Sequence, residues 1–192
     1  MKTICVVYFS GYGHTARQAG AVIEGLASVP DVAVSEIVID ADGQLQDEAW
    51  NQLAAADAIV FGCPTYMGNI PWQFKRFADA SSKAWFARHW RDKLAAGFTN
   101  SGSMNGDKHS TLNYLFTLSM QHAMLWVGSD LMPANTLAAQ RDDVNYLGAF
   151  AGAMAQSPVD APLENAPGPG DLLTARLFGA RVAGIASRLM PA

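Results

Sequence analysis

The chain has 192 residues and a formal net charge of −4, with 50% hydrophobic and 16% charged residues. These values predict one packed α/β domain over residues 1–192 and exclude a disordered chain. The sequence has no basic block, so nucleic acid is not an expected partner, and no apolar run reaches the roughly 18 residues that span a bilayer. The first residues lack a signal-peptide layout, so we expect a cytoplasmic protein.

The first predicted strand, Ile4 to Phe9, leads into the loop sequence SGYGHT at residues 10–15, and a helix-like pattern begins near His14. Such a loop directs backbone N–H groups, two hydroxyls and the positive end of a helix dipole at one point. It contains no lysine and lacks the third glycine of the G-x-G-x-x-G fingerprint, so it is neither a triphosphate loop nor a dinucleotide loop. We therefore predict a neutral cradle for one phosphate monoester; a simple turn that caps the first helix is the alternative.

Strand-like runs alternate with helix-like runs along the chain, which is typical of a parallel sheet with helices on both faces. The wholly apolar third run is typical of a central strand buried on both sides. Residues 128–171 lose this regularity and are predicted as a long irregular segment before a C-terminal helix at 172–190. The remaining predicted strands are Val32 to Ile39, Ala58 to Gly62, Lys93 to Phe98 and Met124 to Val127.

Loops that follow the first, third and fourth strands meet at one edge of such a sheet, where ligands bind. The second of these loops, Cys63 to Ile70, offers backbone amides and an aromatic residue, Tyr66. The third, Thr99 to Asp107, offers small polar residues. A phosphate cradle beside two amide-rich loops suits a flat heteroaromatic ring joined to a phosphate by a polar tail. Flavin mononucleotide (FMN) fits that outline.

Four motifs occur in order: SGYGHT, FGCPTYMGNIPWQFKRFAD, FTNSGSMNGD and MQHAMLWVG. With them the chain resembles the flavodoxin-like family of the tryptophan-repressor-binding protein (WrbA) and its NAD(P)H:quinone oxidoreductase relatives, mainly over residues 3–130. The resemblance implies a three-layer, doubly wound α/β fold with a five-stranded parallel sheet in the order 2-1-3-4-5. It also implies FMN as cofactor, NADH or NADPH as electron donor, a quinone as acceptor, and a homo-oligomer, either a dimer or a tetramer.

The resemblance also assigns roles to residues. The FMN phosphate would be held by Ser10, Gly11, Tyr12, Gly13, His14 and Thr15. The isoalloxazine ring would be lined by Pro64, Thr65, Tyr66, Met67, Gly68 and Asn69. The other edge of the ring and the ribityl chain would be flanked by Thr99, Asn100, Ser101, Gly102, Ser103 and Met104. Tyr12 would also contact the nicotinamide nucleotide, Trp85 would border the substrate pocket and face a neighbouring subunit, and His122 would lie near the flavin as the one catalytic candidate.

Simpler interpretations stay open for two of these residues. His122 follows a predicted helix and would gain stability from the helix dipole without catalytic duty. Trp85 stands near Phe86 and Trp90 in the sequence and would serve as ordinary packing. The chain also departs from several relatives, which carry Arg-Phe where this chain has Tyr66-Met67. One positive charge near the flavin is therefore missing.

The predicted function is two-electron reduction of quinones, in which hydride passes from NAD(P)H through bound FMN. The cofactor supplies this chemistry, so no protein nucleophile is required. The alternatives are a one-electron shuttle of the flavodoxin type and a flavin-binding scaffold that acts through protein partners. A hydrolase built on Ser10 and His122 would lack an orienting acid, and no Cys/His or carboxylate group has the spacing of a metal site.

Overall fold

A computed structural model describes residues 1–189 of the chain. The strands are β1 Lys2–Tyr8, β2 Val32–Val38, β3 Ala58–Pro64, β4 Leu94–Ser101, β5 Leu125–Trp126 and β6 Ala153–Gln156. The helices are α1 His14–Ala27, α2 Asp47–Ala55, α3 Trp72–Ala80, α4 Ser82–Phe86, α5 Lys108–Gln121 and α6 Pro169–Leu189, with a 3-10 turn at Leu163–Asn165. None of the helices within residues 1–189 has the length and apolar composition needed to cross a membrane.

The strands form one parallel sheet in the order β2-β1-β3-β4-β5, which confirms the predicted order. The fifth position of the sheet is divided between two short strands. β5 pairs with the first residues of β4, at Leu94 and Ala95, while β6 pairs in parallel with its last residues, from Phe98 to Ser101. Residues 127–152, which we call the insertion, lie between these two strands.

Alternating side chains of the sheet build a core on each face, because successive residues of a strand point to opposite sides. On one face Ile4, Val6 and Tyr8 belong to the core that includes buried residues of α1 and α6. On the other face Cys5 and Val7 belong to the core that includes buried residues of α2, α3 and α5. This three-layer arrangement leaves the carboxyl ends of β1, β3 and β4 together at one edge.

The predicted strand boundaries shift by up to three residues in the structure, and two differences concern the site. The fourth strand does not end at Phe98: Thr99, Asn100 and Ser101 continue it, all buried and paired with β3 or β6. Residues 128–171 are also not wholly irregular, since they contain β6, the 3-10 turn and the start of α6. That helix begins at Pro169 rather than 172, and Met190, its predicted last residue, lies outside the described residues.

Candidate functional site

A cleft of about 640 Å³ opens at the carboxyl edge of the sheet. Its volume falls within the range of about 300–1,000 Å³ that is usual for small-molecule sites. Most of its wall comes from the segments that follow β1, β3 and β4, as predicted from topology. The lining residues are Tyr12, His14, Thr15, Pro64, Thr65, Tyr66, Met67, Asn100, Ser101, Gly102, Ser157, Pro158 and Val159.

The phosphate loop, residues 10–15, is shaped by one serine and one glycine. The Ser10 hydroxyl oxygen accepts hydrogen bonds from the backbone N–H groups of Gly13 and Ala16, each at 3.1 Å. Gly13 is the N-cap of α1 with φ of 88°. A Cβ there would lie 3.0 Å from the Leu163 side chain, so a larger residue would be strained in both backbone and packing.

Two backbone donors at the start of α1 remain free for a ligand. The first N–H groups of a helix have no intrahelical acceptor, and those of His14 and Thr15 make no hydrogen bond within residues 1–189. The Thr15 side chain borders the cleft although the residue is only 2% exposed. Burial, and secondarily the nearby Arg17, lower the pKa of His14, so its imidazole is neutral at neutral pH. The loop thus offers uncharged donors at the positive end of a helix dipole, which suits a phosphate monoester.

The second loop contains a two-residue hairpin turn. Tyr66 and Asn69 pair through backbone hydrogen bonds of 2.9 and 3.1 Å. Between them, Met67 and Gly68 have φ of 47° and 81°, as the central residues of a type I′ turn do. Their own N–H groups make no hydrogen bond within residues 1–189. The turn therefore leaves two amide donors unpaired, as a contact to the polar edge of a flavin ring would require.

Two tyrosines border the cleft from opposite loops. The rings of Tyr12 and Tyr66 meet edge to face with centroids 6.3 Å apart. Gly11 makes this approach possible, because a Cβ at that position would lie 2.4 Å from the Tyr66 hydroxyl oxygen. Burial, and to a lesser extent Tyr12 and Cys63, raise the pKa of Tyr66, so it remains a neutral phenol. The pair gives the cleft an aromatic rim without charge.

A chain of three threonine hydroxyls lies buried behind the second loop. Thr99 donates to the backbone oxygen of Cys63 at 2.7 Å, which leaves Thr65 to donate to Thr99 at 2.9 Å. Thr111 of α5 then donates to Thr65 at 2.8 Å. Each hydroxyl has one hydrogen, so these bonds fix the direction of the whole chain. The chain links β3, β4 and α5 and holds Thr65 in the wall of the cleft.

The predicted third loop contributes only in part. Asn100, Ser101 and Gly102 line the cleft, whereas Thr99 lies beneath it, and Met104 lines a separate pocket beside the insertion. Ser103 contributes its backbone oxygen, which accepts hydrogen bonds from the side chains of Ser101 and Lys108.

The segment after β6 forms a wall of the cleft that the sequence did not indicate. Ser157, Pro158 and Val159 line the cleft there. Ser157 donates a hydrogen bond of 3.1 Å to the side-chain oxygen of Asn100, and Gln156 donates one of 2.8 Å to the backbone oxygen of Gly102. Because β6 pairs with β4, these bonds tie the segment to the end of β4.

Behind this side lies a charged wall, which we define as Lys108, Arg141 and Asp171. Arg141 of the insertion binds the buried Asp171 carboxylate through two hydrogen bonds of 2.8 and 2.6 Å. The same carboxylate accepts a 2.8 Å bond from the backbone N–H of Gln156. Burial lowers the pKa of Lys108 to about 8, with Asp171 acting in the opposite direction and Arg141 in the same one. Sequence reasoning missed all three residues.

His122 and Trp85 lie away from the cleft of their own chain. They share a pocket of about 180 Å³ with Phe86 and Arg88. The α5 helix starts beside the cleft and has 14 residues, so its C-cap, His122, lies about 20 Å from that start. The expectation that His122 lies near the flavin is therefore not met within one chain.

The His122 side chain is almost fully buried within its own chain, although it lines the small pocket. Its Nε2 is 2.9 Å from the hydroxyl of Ser81, which itself donates to the backbone of Ala78, so Nε2 carries the hydrogen. The ring packs against Trp90 with centroids 4.1 Å apart, and burial lowers the pKa of His122 to about 4. At the far end of α5, His122 is also too distant from Ser10 to form a catalytic pair with it.

A parallel sheet in this order, with a phosphate loop and an amide-bearing turn at its carboxyl edge, defines the flavodoxin-like class. Comparison with known proteins then gives the family. The sequence profile of the NADPH-dependent FMN reductases matches residues 26–137. Flavodoxin FldP from Pseudomonas aeruginosa is 51% identical over 98% of this chain and 99% of its own length. The chain therefore belongs to the flavodoxin-like FMN reductase family.

Two further similarities agree with this assignment. A NAD(P)H dehydrogenase (quinone) from Geobacter sulfurreducens is 31% identical over 97% of this chain and 98% of its own. The crystal structure of a flavodoxin, a WrbA-like protein from Agrobacterium tumefaciens, superposes with a TM-score of 0.75. It is 47% identical and covers 98% of this chain and 99% of its own. The predicted resemblance to the WrbA-like proteins is thus confirmed, as are FMN as cofactor and NAD(P)H as donor.

Proposed function

We propose that the protein is an FMN-dependent NAD(P)H:quinone oxidoreductase, which reduces quinones by two electrons. The observation that carries this proposal is the character of the cleft rim. Tyr12 is 84% exposed and the Met67 side chain is fully exposed, so a second flat ring has access to a ligand bound between them. None of the described residues that line the cleft is a lysine, arginine, aspartate or glutamate. A neutral, open rim suits the stacking of nicotinamide and quinone rings in turn.

Bound FMN would supply the electron-transfer chemistry, and the chain would supply placement and electrostatics. The hydroxyl of Thr15 and the free N–H groups of His14 and Thr15 would hold the phosphate. The free N–H groups of Met67 and Gly68 would donate hydrogen bonds to the polar edge of the ring and stabilise negative charge there. Tyr12 and Tyr66 would limit access of water to the ring from the side of the phosphate loop.

A second candidate is a flavodoxin-type shuttle that passes electrons between proteins. The similarity to Flavodoxin FldP, at 51% identity, favours it. The uncharged rim of the cleft speaks for the reductase, because docking of a partner protein is usually guided by complementary charge. A scaffold that binds flavin and acts through partners would also have to use this uncharged surface.

One experiment separates these functions. The purified protein is reconstituted with FMN, its visible spectrum is recorded, and it is mixed with NADH or NADPH and benzoquinone. We expect flavin absorption and nicotinamide oxidation that requires both FMN and the quinone. Bound FMN with no nicotinamide oxidation would overturn the reductase and favour the shuttle or the scaffold. Failure to bind FMN would overturn all three.

We further propose that Trp85 and His122 act at the flavin site of another copy of the chain, across an interface between the two copies. Trp85 is 44% exposed and Phe86 is 79% exposed, so this aromatic pair is available to a neighbour. Light scattering should then report a dimer or tetramer. In that assembly Trp85→Ala should raise the KM for quinone, while Trp72→Ala, at an exposed tryptophan on α3, serves as the control. A monomer with unchanged kinetics on Trp85→Ala would contradict this role.

A further inference from the structure

Lys108 is a buried cation without an anionic partner. The residue is 1% exposed, at the first position of α5. Its Nζ donates to the Ser101 hydroxyl at 2.9 Å and to the backbone oxygens of Ser103 and Met104 at 2.9 and 2.8 Å. All three acceptors are neutral, and Lys108 forms no salt bridge within residues 1–189. Burial of an ammonium group without an opposite charge is costly, and an anionic ligand nearby would reduce that cost.

The carboxylate that acts on Lys108 is already neutralised. Asp171 is bound by the guanidinium of Arg141 through two hydrogen bonds. These two charges cancel, and the charged wall keeps one net positive charge, that of Lys108. Asp171 and Arg141 are the two charged groups that act on Lys108, in opposite directions. The excess charge therefore lies on the side of the wall that adjoins Ser101.

Ser101 connects this charge to the cleft. Its hydroxyl donates to the Ser103 oxygen at 3.0 Å and accepts from Lys108, while the residue itself lines the cleft. Gly106 lets the loop close over this hydroxyl, because a Cβ there would lie 2.1 Å from the Ser101 oxygen. Lys108 thus holds the loop that borders the cleft. Its ammonium group is separated from the cleft by the Ser101 side chain.

We propose that Lys108 is a positioning residue that favours the reduced cofactor over the oxidised one. The inference rests on the proposed binding of FMN in this cleft. Above neutral pH, reduced FMN is more negative than oxidised FMN. A fixed positive charge behind Ser101 therefore stabilises the reduced ring more than the oxidised ring. The charge lies in a partly dehydrated interior, where solvent and salt screen it little.

The test is the ratio of affinities for reduced and oxidised FMN, measured as the midpoint potential of the bound cofactor and the dissociation constant of oxidised FMN. Lys108→Met keeps an unbranched side chain, one atom shorter than that of lysine, and removes its charge. We expect this variant to bind reduced FMN about tenfold more weakly relative to oxidised FMN, which lowers the two-electron potential by about 30 mV. Lys108→Arg should retain most of the wild-type potential.

The matched control is Lys93→Met. Lys93 is also a partly buried lysine that binds neutral oxygens, those of Ala54 and Ala56, but it precedes β4 at the opposite edge of the sheet. Its loss should lower stability without a change in potential. If Lys108→Met does not fold, Lys108→Gln provides the same loss of charge with a polar group that can still donate to Ser101.

The outcomes separate the two proposals. FMN binding to the wild type together with an unchanged potential in Lys108→Met or Lys108→Gln overturns the role of Lys108 alone. An equal fall in potential in Lys93→Met overturns it as well, since the effect would then be general. Failure of the wild type to bind FMN in either state overturns both this inference and the proposed function.

Discussion

The phosphate loop and the charged wall belong to the same site and are built by different means. The loop uses neutral donors supplied by residues adjacent in sequence, with Ser10 and Gly13 setting its shape. The wall uses full charges brought together from α5, the insertion and α6. A phosphate keeps its charge throughout a reaction, whereas a redox ring does not. In the arrangement that we propose, neutral donors bind the group of constant charge, and a buried cation acts on the group whose charge changes.

The largest effect is expected from a substitution that disrupts the charged wall. Asp171→Ala leaves the Arg141 guanidinium and the Gln156 N–H without their buried acceptor, so we expect the free energy of unfolding to fall by about 3 kcal/mol. Urea denaturation measures this. Asp130→Ala is the control, because Asp130 pairs with Arg181 at the surface and its loss should cost less than about 1 kcal/mol. Equal losses in the two variants would show that the wall contributes no more than a surface ion pair.

The next effect tests the phosphate loop. Thr15→Val preserves the shape of the side chain and removes a hydroxyl that we expect to bind a charged phosphate. FMN should bind about tenfold more weakly, which corresponds to the loss of one hydrogen bond to a charged group. Fluorescence titration of FMN gives the dissociation constant. Thr117→Val removes an exposed hydroxyl on α5 and should leave the affinity unchanged; unchanged affinity in Thr15→Val as well would remove Thr15 from the site.

A smaller effect concerns pH and the stability of the protein without FMN. The pKa of Lys108 is lowered from 10.5 to about 8 in the folded chain, mainly by burial. Between these two values the unfolded chain binds more protons, so the free energy of unfolding should rise with pH in this window. We expect wild type to gain about 1 kcal/mol relative to Lys108→Met between about pH 8 and pH 9, in the lower part of the window. A pH-independent difference in urea denaturation would contradict this.

The smallest effect is that of salt. The phosphate loop has no side-chain cation at the cleft, and the charge of Lys108 is buried. An increase in ionic strength from about 0.1 M to 1 M should therefore change the dissociation constant of FMN by less than about threefold. Loss of affinity by tenfold or more would indicate that exposed cations hold the phosphate, and the contrast between the two sides would then fail.

The sequence predicted the parts of the site that depend on neighbouring residues. The phosphate loop and the Tyr66–Asn69 turn follow from local glycine, hydroxyl and turn patterns, and the sheet order follows from the resemblance. The sequence predicts a loop at the end of β4 because Thr99, Asn100 and Ser101 are small and polar. They belong to the strand because their polar groups are paired: Thr99 and Asn100 with the hydroxyls of Thr65 and Ser157, and the strand backbone with β6.

The remaining parts depend on contacts between distant segments. β6 has the sequence Ala-Met-Ala-Gln, whose residues favour helices in isolation, so pairing with β4 overrides local preference. Lys108 follows an aspartate in a polar stretch, and lysine is rarely buried, so no local signal marked it. Arg141 and Asp171 are joined across the insertion and α6. The length of α5, rather than any motif, separates His122 from the cleft.

Because the fifth strand position is divided, the insertion connects two short strands that pair with the same neighbour, β4. Trp126 pairs with Ala95 and Ala153 pairs with Phe98, so the chain leaves β4 and returns to it about 10 Å further along. Loop-closure entropy changes slowly with length, so a short linker would close the same gap at little thermodynamic cost. The insertion supplies one guanidinium group to the charged wall, that of Arg141, and is joined to α6 by the hydrogen bond from the Asn145 N–H to Thr174. A chain shortened there would lose Arg141, which neutralises Asp171, and that carboxylate would then offset the positive charge of Lys108.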